Sequence, residues 1–272
     1  MKKSLFAATG LMIAACVAPG AALAQMAEGS QSSPLPRNYV AAGAAMLPDY
    51  AGSDDYRVIP FGAARFELAG VSFRTQGPGL AASLYENGPW ELGAYVRWSG
   101  GRDDVEDEIV DRMRDVDSSL ITGGYARVTL AENVLSERDR FGLGVDLGVD
   151  ALGNFDGLAW SASADYGVMV SRGVFAALSA SVSGFSDDYA DTLFSVDAVD
   201  AAATGLSLYT AEGGVRDVGV TAILDVAVSQ SWSVTGVAGY SRLVGDYADS
   251  PIVSERGSED QVFLGLALGR RF

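Results

Sequence analysis

From about Tyr39 onward the chain is written in period two. Stretches near ten residues long carry apolar side chains on one parity and glycine, serine or isolated aspartate on the other, and clusters of Gly, Asp, Ser and Asn separate them. Phe141, Leu143, Val145, Leu147 and Val149 alternate with Gly142, Gly144, Asp146, Gly148 and Asp150. Leu158, Trp160, Ala162, Ala164, Tyr166, Val168 and Val170 then oppose Ser161, Ser163, Asp165 and Gly167. Val218, Val220, Ala222, Leu224, Val226 and Val228 oppose Asp217, Gly219, Thr221 and Asp225. Successive side chains of a strand point to opposite faces, so each run reads as a strand with one greasy face and one small or polar face.

A soluble β-sandwich alternates as well, and three features separate the two. The polar parity carries Gly, Ser and single Asp residues, which suit a narrow lumen better than an open soluble surface. Aromatic residues gather at strand ends: Trp90 and Trp98 bracket one strand, Trp160 opens another and Trp232 a third. Eight residues at about 3.3 Å each, tilted roughly 40°, cover about 20 Å, near the height of an outer-membrane barrel's apolar band. Finally, Val262, Leu264, Leu266 and Leu268 share one face of the last segment, opposite Gln261, Gly265, Ala267 and Gly269, and Phe272 closes it. Such a strand resembles the signal read by the outer-membrane assembly machinery, so Phe272 is the candidate assembly residue.

The expected fold is therefore an all-β, antiparallel transmembrane barrel with a lumen of polar and small residues. Glu91, Arg97, Arg127, Asp146, Asp150, Asp165, Asp217 and Asp225 all fall on the inward parity. Arg270 falls on the lipid parity, close enough to the end to snorkel. On this reading an arginine at Leu147 costs about 2–4 kcal/mol, whereas a serine at Gly148 adds a hydroxyl to a polar space. Short connections stand at Ala69-Gly70, Glu86–Gly88, Ser171–Gly173 and Ser229–Ser231. Long ones stand at Pro48–Tyr56, Gly100–Asp117, Asp187–Gly205 and Gly245–Asp260, and belong outside the cell. Eleven segments are clear. Twelve strands result if Gly77-Pro78-Gly79 divides the stretch Val71–Tyr85 in two, and ten if Tyr39–Leu47 does not span.

The N-terminus reads as an export signal: Lys2 and Lys3, an uncharged apolar stretch from Leu5 to Val17, and Ala22-Leu23-Ala24 before Gln25. This divides the chain into a cleaved signal (1–24), a short periplasmic segment (25–37) and a barrel (38–272) in the outer membrane of a Gram-negative cell. Ile13-Ala14-Ala15-Cys16 also resembles a lipoprotein box, which would make Cys16 a lipid anchor. After the signal no apolar run is long enough for a transmembrane helix.

Composition narrows the function. The chain has no histidine, so it lacks the usual general base, the commonest metal ligand and the centre of Ser-His-Asp triads. It is expected not to be an enzyme, and no catalytic, cofactor or metal residue is assigned. The net charge is −16 with a single cysteine, which argues against nucleic acid or anionic lipid as a partner. The barrel wall itself would contact outer-membrane lipid.

The segment Pro48-Asp49-Tyr50-Ala51-Gly52-Ser53-Asp54-Asp55-Tyr56-Arg57-Val58-Ile59-Pro60, then Gly101-Arg102, Arg242-Leu243-Val244-Gly245-Asp246, Asp249-Ser250-Pro251-Ile252-Val253 and Gln261 resemble the MipA/OmpV family of outer-membrane proteins. The resemblance covers Tyr39 to Phe272. It implies a barrel, and as partners periplasmic murein hydrolases or synthases, since one member interacts with the lytic transglycosylase MltA. Other members are linked to adhesion, osmotic response or small-solute passage. It implies no catalytic residues. Two functions stay open: an interaction or scaffold protein for murein machinery or an external ligand, and a passive pore.

The motif candidates are Asp49, Tyr50, Gly52, Ser53, Asp54, Asp249, Ser250 and Pro251. They could touch a partner or a sugar; the plainer reading is a turn with Gly52 at positive φ. Ser250 has no base in any recognisable motif and is a poor nucleophile candidate. The acidic loop Gly100–Asp117 could hold Ca²⁺ or Mg²⁺, but lacks the EF-hand order of ligands and reads as a solvated loop. Gly123-Gly124 and Gly142-x-Gly144 lie inside strand patterns and read as packing glycines.

Overall fold

The structure is a computed structural model and describes residues 38–272; the export signal, Cys16 and the segment 25–37 lie outside the described residues. Twelve antiparallel strands follow one another around a closed barrel. They are β1 (Tyr39–Pro48), β2 (Tyr56–Leu68), β3 (Val71–Thr75), β4 (Gly79–Asn87), β5 (Trp90–Ser99), β6 (Ser119–Glu132), β7 (Asp139–Asp150), β8 (Leu158–Ser171), β9 (Val174–Phe185), β10 (Gly214–Ala227), β11 (Trp232–Leu243) and β12 (Asp260–Arg271). β1 closes the ring on β12, with Tyr39 opposite Arg271 and Met46 opposite Leu264. Gly77-Pro78 does break Val71–Tyr85 into two strands, which settles the count at twelve.

Turns set the register. Ala69 and Gly70, at φ 52° and 81°, supply the two positive-φ positions of the tight hairpin that suits twisted strands. Connections at this end are short, the six-residue turn 133–138 being the longest, and Phe272 N–H donates to Asn38 C=O there (3.1 Å). In outer-membrane barrels this is the periplasmic end. The opposite end carries the long loops. They are not irregular throughout: α1 (Asp187–Phe194) and α2 (Ala198–Thr204) lie between β9 and β10, and α3 (Asp246–Asp249) and α4 (Pro251–Ser254) between β11 and β12. A strand-length reading has no means of seeing these helices, although Asp197 is an N-cap visible in sequence. Its carboxylate accepts from Val199 and Asp200 N–H (2.7 and 2.8 Å).

Outward residues are apolar and exposed, among them Val145, Leu147, Val220, Leu224, Leu264 and Leu266. Arg270 lies over the rings of Trp232 and Phe272, which holds it at the interface. Most of the inward charges are paired or hydrogen-bonded. Arg127 Nη2 meets Asp146 Oδ2 at 2.6 Å, and Gln76 Nε2 donates to Asp146 Oδ1 (3.0 Å). Arg74 meets Glu91 at 2.5 Å, and Tyr125 and Ser83 hydroxyls donate to the same Glu91 oxygen. Asp165 accepts from Ser163 and Ser179, and Asp225 pairs with Arg271. Small and polar residues thus line most of the inner face. Two apolar patches interrupt them: Ala45, Leu47, Ile59 and Phe263, with Phe61 and Val237 beside them, and Phe175, Ala177 and Ile223.

The expected mildness of serine at Gly148 does not survive. A Cβ there would run into the Tyr95 hydroxyl and approach Ile121 Cγ2 at 2.8 Å, because the aromatic ring of Tyr95 fills the space the small residue leaves. Parity shows which way a position faces, and not what stands opposite. Half-buried Ser181, also inward, is the better control. Leu147→Arg is expected to cost about 2–4 kcal/mol in urea unfolding of the refolded barrel, and Ser181→Ala less than a quarter of that. Equal losses would mean that the two faces are misassigned.

Candidate functional site: a cap of loops over the outer mouth

The residues singled out by the two end motifs meet one another. Gly52 N–H donates to Gln261 Oε1 (3.2 Å), Gln261 Nε2 donates to Ser53 C=O (3.1 Å), and Ser258 N–H donates to Gly52 C=O (2.8 Å). The loop after β1 is thereby stitched to the loop before β12, beside the seam where the first and last strands close the barrel. Gly52 has φ +97°, and a Cβ on it would collide with Val253 Cγ2. Glycine is required here on both counts.

Asp49 is buried, pairs with Arg57 and accepts from Glu106 N–H (2.8 Å). Tyr50 packs among Val110, Met113, Val196, Leu206 and Ile252, and burial raises its phenol well above the usual range. Ser53 Oγ accepts from Asp55 N–H (3.0 Å) and shapes the turn. Ser250 is fully buried, with its hydroxyl donating to Phe194 C=O (2.6 Å). Pro251 occupies the first turn of α4, where its missing N–H costs nothing. Asp54 and Asp249 remain exposed. Six of the eight candidates therefore sit inside the protein, and two face solvent.

Four more residues complete the cap; Arg102 stands in the family motif and Asp107 in the acidic loop, while Arg256 and Asp200 carry no signal in the sequence. Asp107 is buried in the acidic loop and pairs with Arg256 at 2.5 Å. Burial pushes its carboxyl up, but the Arg256 hydrogen bond and the N–H groups of Val110 and Ile109 outweigh this and hold it below the usual range. The other acids of that loop are exposed, as a solvated loop requires; Asp107 departs from them because Val110, Met113 and Val116 anchor the loop. Arg102 is buried and donates to Leu193 C=O (2.8 Å); burial, resisted by the charge of Asp200, lowers its guanidinium to about 10. Asp200 accepts from Arg114 N–H (2.7 Å). Charge pairs this distant in sequence leave no periodic trace.

Aromatic rings fill the centre. Tyr189 of α1 stacks on Phe185 (4.0 Å between centroids) and leans on Phe155 (5.0 Å), while Phe194 meets Tyr247 edge-on (5.0 Å). The Tyr189 hydroxyl reaches Ser99 at the top of β5 (3.1 Å). Five loops thus contribute to one packed lid. Among the described residues no group of His, Cys, Asp or Glu converges as metal ligands would.

Residues 40–272 match the family described as MltA-interacting protein MipA. The chain belongs to the MipA family. Closed antiparallel barrels with an apolar outer band are the strand-built structures that span outer membranes, and this MipA-family chain is an outer-membrane β-barrel protein. No curated protein matches it in sequence. Among solved structures it is similar to the NanC porin, at TM-score 0.43 and 8% identity over 86% of this chain and 100% of that one. It is also similar to an outer-membrane channel from Pseudomonas putida F1, at TM-score 0.45 and 13% identity over 88% and 97%. Likeness at that level conveys no function.

Proposed function

We propose that this chain is a non-catalytic, axially closed barrel that anchors a protein partner at the outer membrane, the partner being a murein-processing enzyme of the lytic transglycosylase kind. The observation that carries this reading is the closure of the axial path. The cap is a packed aromatic core rather than a ring of mobile loops, and below it inward side chains such as Tyr95, Tyr125, Arg127, Asp165 and Phe263 are buried. A diffusion pore needs a continuous wet path; the packed cap and these buried side chains argue against one, and the cavity of about 790 Å³ bordered by Ala45, Ala177, Ile223 and Val237 is largely apolar. The family's own description names MltA as an interacting protein, and the resemblance makes that a lytic transglycosylase.

A surface suited to such a partner lies at the periplasmic end. The Asp139 carboxylate accepts from the N–H groups of Val134, Leu135 and Ser136 and from the Tyr166 hydroxyl. This fixes the turn 133–138 while leaving Val134 65% and Leu135 80% exposed. A turn held that firmly presents two apolar side chains at little ordering cost, which favours binding.

The purified protein is expected to give no steady conductance in planar bilayers and to retain a lytic transglycosylase in affinity capture. Leu135→Asp should abolish that capture without altering heat-modifiable migration on gels. Ohmic conductance together with capture indifferent to Leu135→Asp would sink the proposal.

A further inference from the structure

The barrel wall is incomplete on one side. β2 pairs with β1 from Tyr56 to Arg65, but with β3 only from Arg65 to Leu68. β3 has five residues, and its hairpin with β4 turns at Gln76–Pro78, where β4 begins opposite Arg97 of β5. Above that hairpin β2 has no strand beside it on its β3 side. Backbone direction identifies the open groups. The tight hairpin pairs Leu68 with Val71, so alternate residues 66, 64, 62, 60 and 58 aim N–H and C=O toward β3. At Ala64 the Thr75 hydroxyl serves both, accepting at 2.8 Å and donating at 3.4 Å. Beyond it Gly62 and Val58 have no backbone partner on that side among the described residues. Pro60 stands between them with no N–H to leave unpaired.

This opening lies within the membrane-facing wall. Tyr56 marks the upper aromatic level of β2, and Phe66 stacked on Phe73 marks the lower. Val58, 71% exposed, faces outward. Unpaired backbone groups are not tolerated against hydrocarbon, so something polar must reach them. A partner strand is disfavoured, because Pro60 removes the central donor such a strand would use. On the inner side of the opening, Ile59 and Phe61 belong to the apolar patch with Leu47 and Phe263. On the opposite lip, inward Arg97 lies over the Tyr95 ring (5.4 Å) and has no carboxylate partner among the described residues.

We infer that the gap between β2 and the β3–β4 hairpin is a lateral entry, admitting from the membrane a single-chain anionic amphiphile such as a long-chain carboxylate. Its tail lies along Phe61 and Val237, the partly exposed members of that patch. Its head accepts from Gly62 N–H and faces Arg97. The entry goes beyond the anchoring role and does not depend on it, since it is the sideways access that the cap denies along the axis.

The test places a bimane label at Phe61→Cys in the full chain carrying Cys16→Ala, refolded in phospholipid vesicles, with dibrominated stearate as quencher. Saturable quenching is expected, reversed by plain stearate. A label at Ser181→Cys, inward but on β9, should stay unquenched, and one at Val58→Cys should be quenched without saturation. Arg97→Gln should weaken the stearate effect about tenfold, the loss of one charge-assisted contact, and leave competition by stearyl alcohol unchanged. Ile59→Cys reads the same wall if Phe61→Cys fails to show heat-modifiable folding. Quenching at the β2 positions no greater than at Ser181, or quenching indifferent to Arg97→Gln, overturns the proposal.

Discussion

Replacing Arg127 with methionine is expected to remove about 3–5 kcal/mol of stability, because it strands a buried carboxylate. Arg127 and Asp146 are both about 5% exposed or less. The guanidinium meets Asp146 Oδ2 at 2.6 Å and donates to Val145 C=O at 2.8 Å. With the arginine gone, Asp146 keeps only the Gln76 amide and a long contact from Ser161 (3.4 Å). Neither carries a charge. The double variant Arg127→Met, Asp146→Leu should recover most of the loss, since removing both ions also removes the unpaired one. Urea unfolding of the refolded barrel, followed by tryptophan fluorescence, measures both. A single variant within about 1 kcal/mol of wild type would place this pair in the class of weak, solvent-screened bridges.

That ion pair also marks how far the sequence could be read. Alternation alone put Arg127 and Asp146 on the inner face, because a charge on the lipid side of β6 or β7 is too costly to keep. It could not pair them, since partnership depends on register across β6 and β7, where Tyr125 stands opposite Asp146 and Arg127 opposite Gly144. Strand faces are local properties with a period of two; neighbours across the sheet are not. For the same reason Phe263, a large residue on the small-residue parity of β12, reads as a lapse in the pattern. In the structure it is 2% exposed and part of the patch beside the lateral opening. The short β3 hid in the same manner. Gly77-Pro78-Gly79 signals a break, but only the pairing reveals that the break leaves half of β2 without a neighbour on one side.

The cap was legible at its two ends and silent in between. Asp49-Tyr50-Ala51-Gly52-Ser53 and Asp249-Ser250-Pro251 stood out as motifs, and a turn with Gly52 at positive φ was the plain expectation. What joins them is Gln261, 209 residues from Gly52. The helices α1 to α4 are four to eight residues long, too short to impose a helical period. They are held by burial of Tyr189, Phe194, Tyr247 and Ile252 rather than by propensity.

If that stitch holds the cap shut, then Gly52→Val should open the cap and spare the barrel. Valine at φ +97° incurs roughly 1–2 kcal/mol of backbone strain. Its side chain must also displace Val253 and crowd Leu243 Cδ1, 3.4 Å from the Cβ position, for about 1–3 kcal/mol more. The strain falls on loops whose opening is cheaper than unfolding twelve hydrogen-bonded strands, so it should appear as local exposure. Arg256 reports it: its guanidinium binds Asp107, and it follows directly on α4, whose Ile252 and Val253 are buried. Trypsin cleavage after Arg256 in outward-facing proteoliposomes should accelerate more than about tenfold, tracking the population of the open loop. Heat-modifiable migration should persist. Gly70→Ala is the control, a glycine at φ +81° whose Cβ would meet nothing within 4 Å, at the far end of the barrel; it should leave the Arg256 cut unchanged. Equal acceleration in both variants would mean that the barrel as a whole has loosened. An unchanged rate in Gly52→Val would mean that the two motifs do not hold the cap shut.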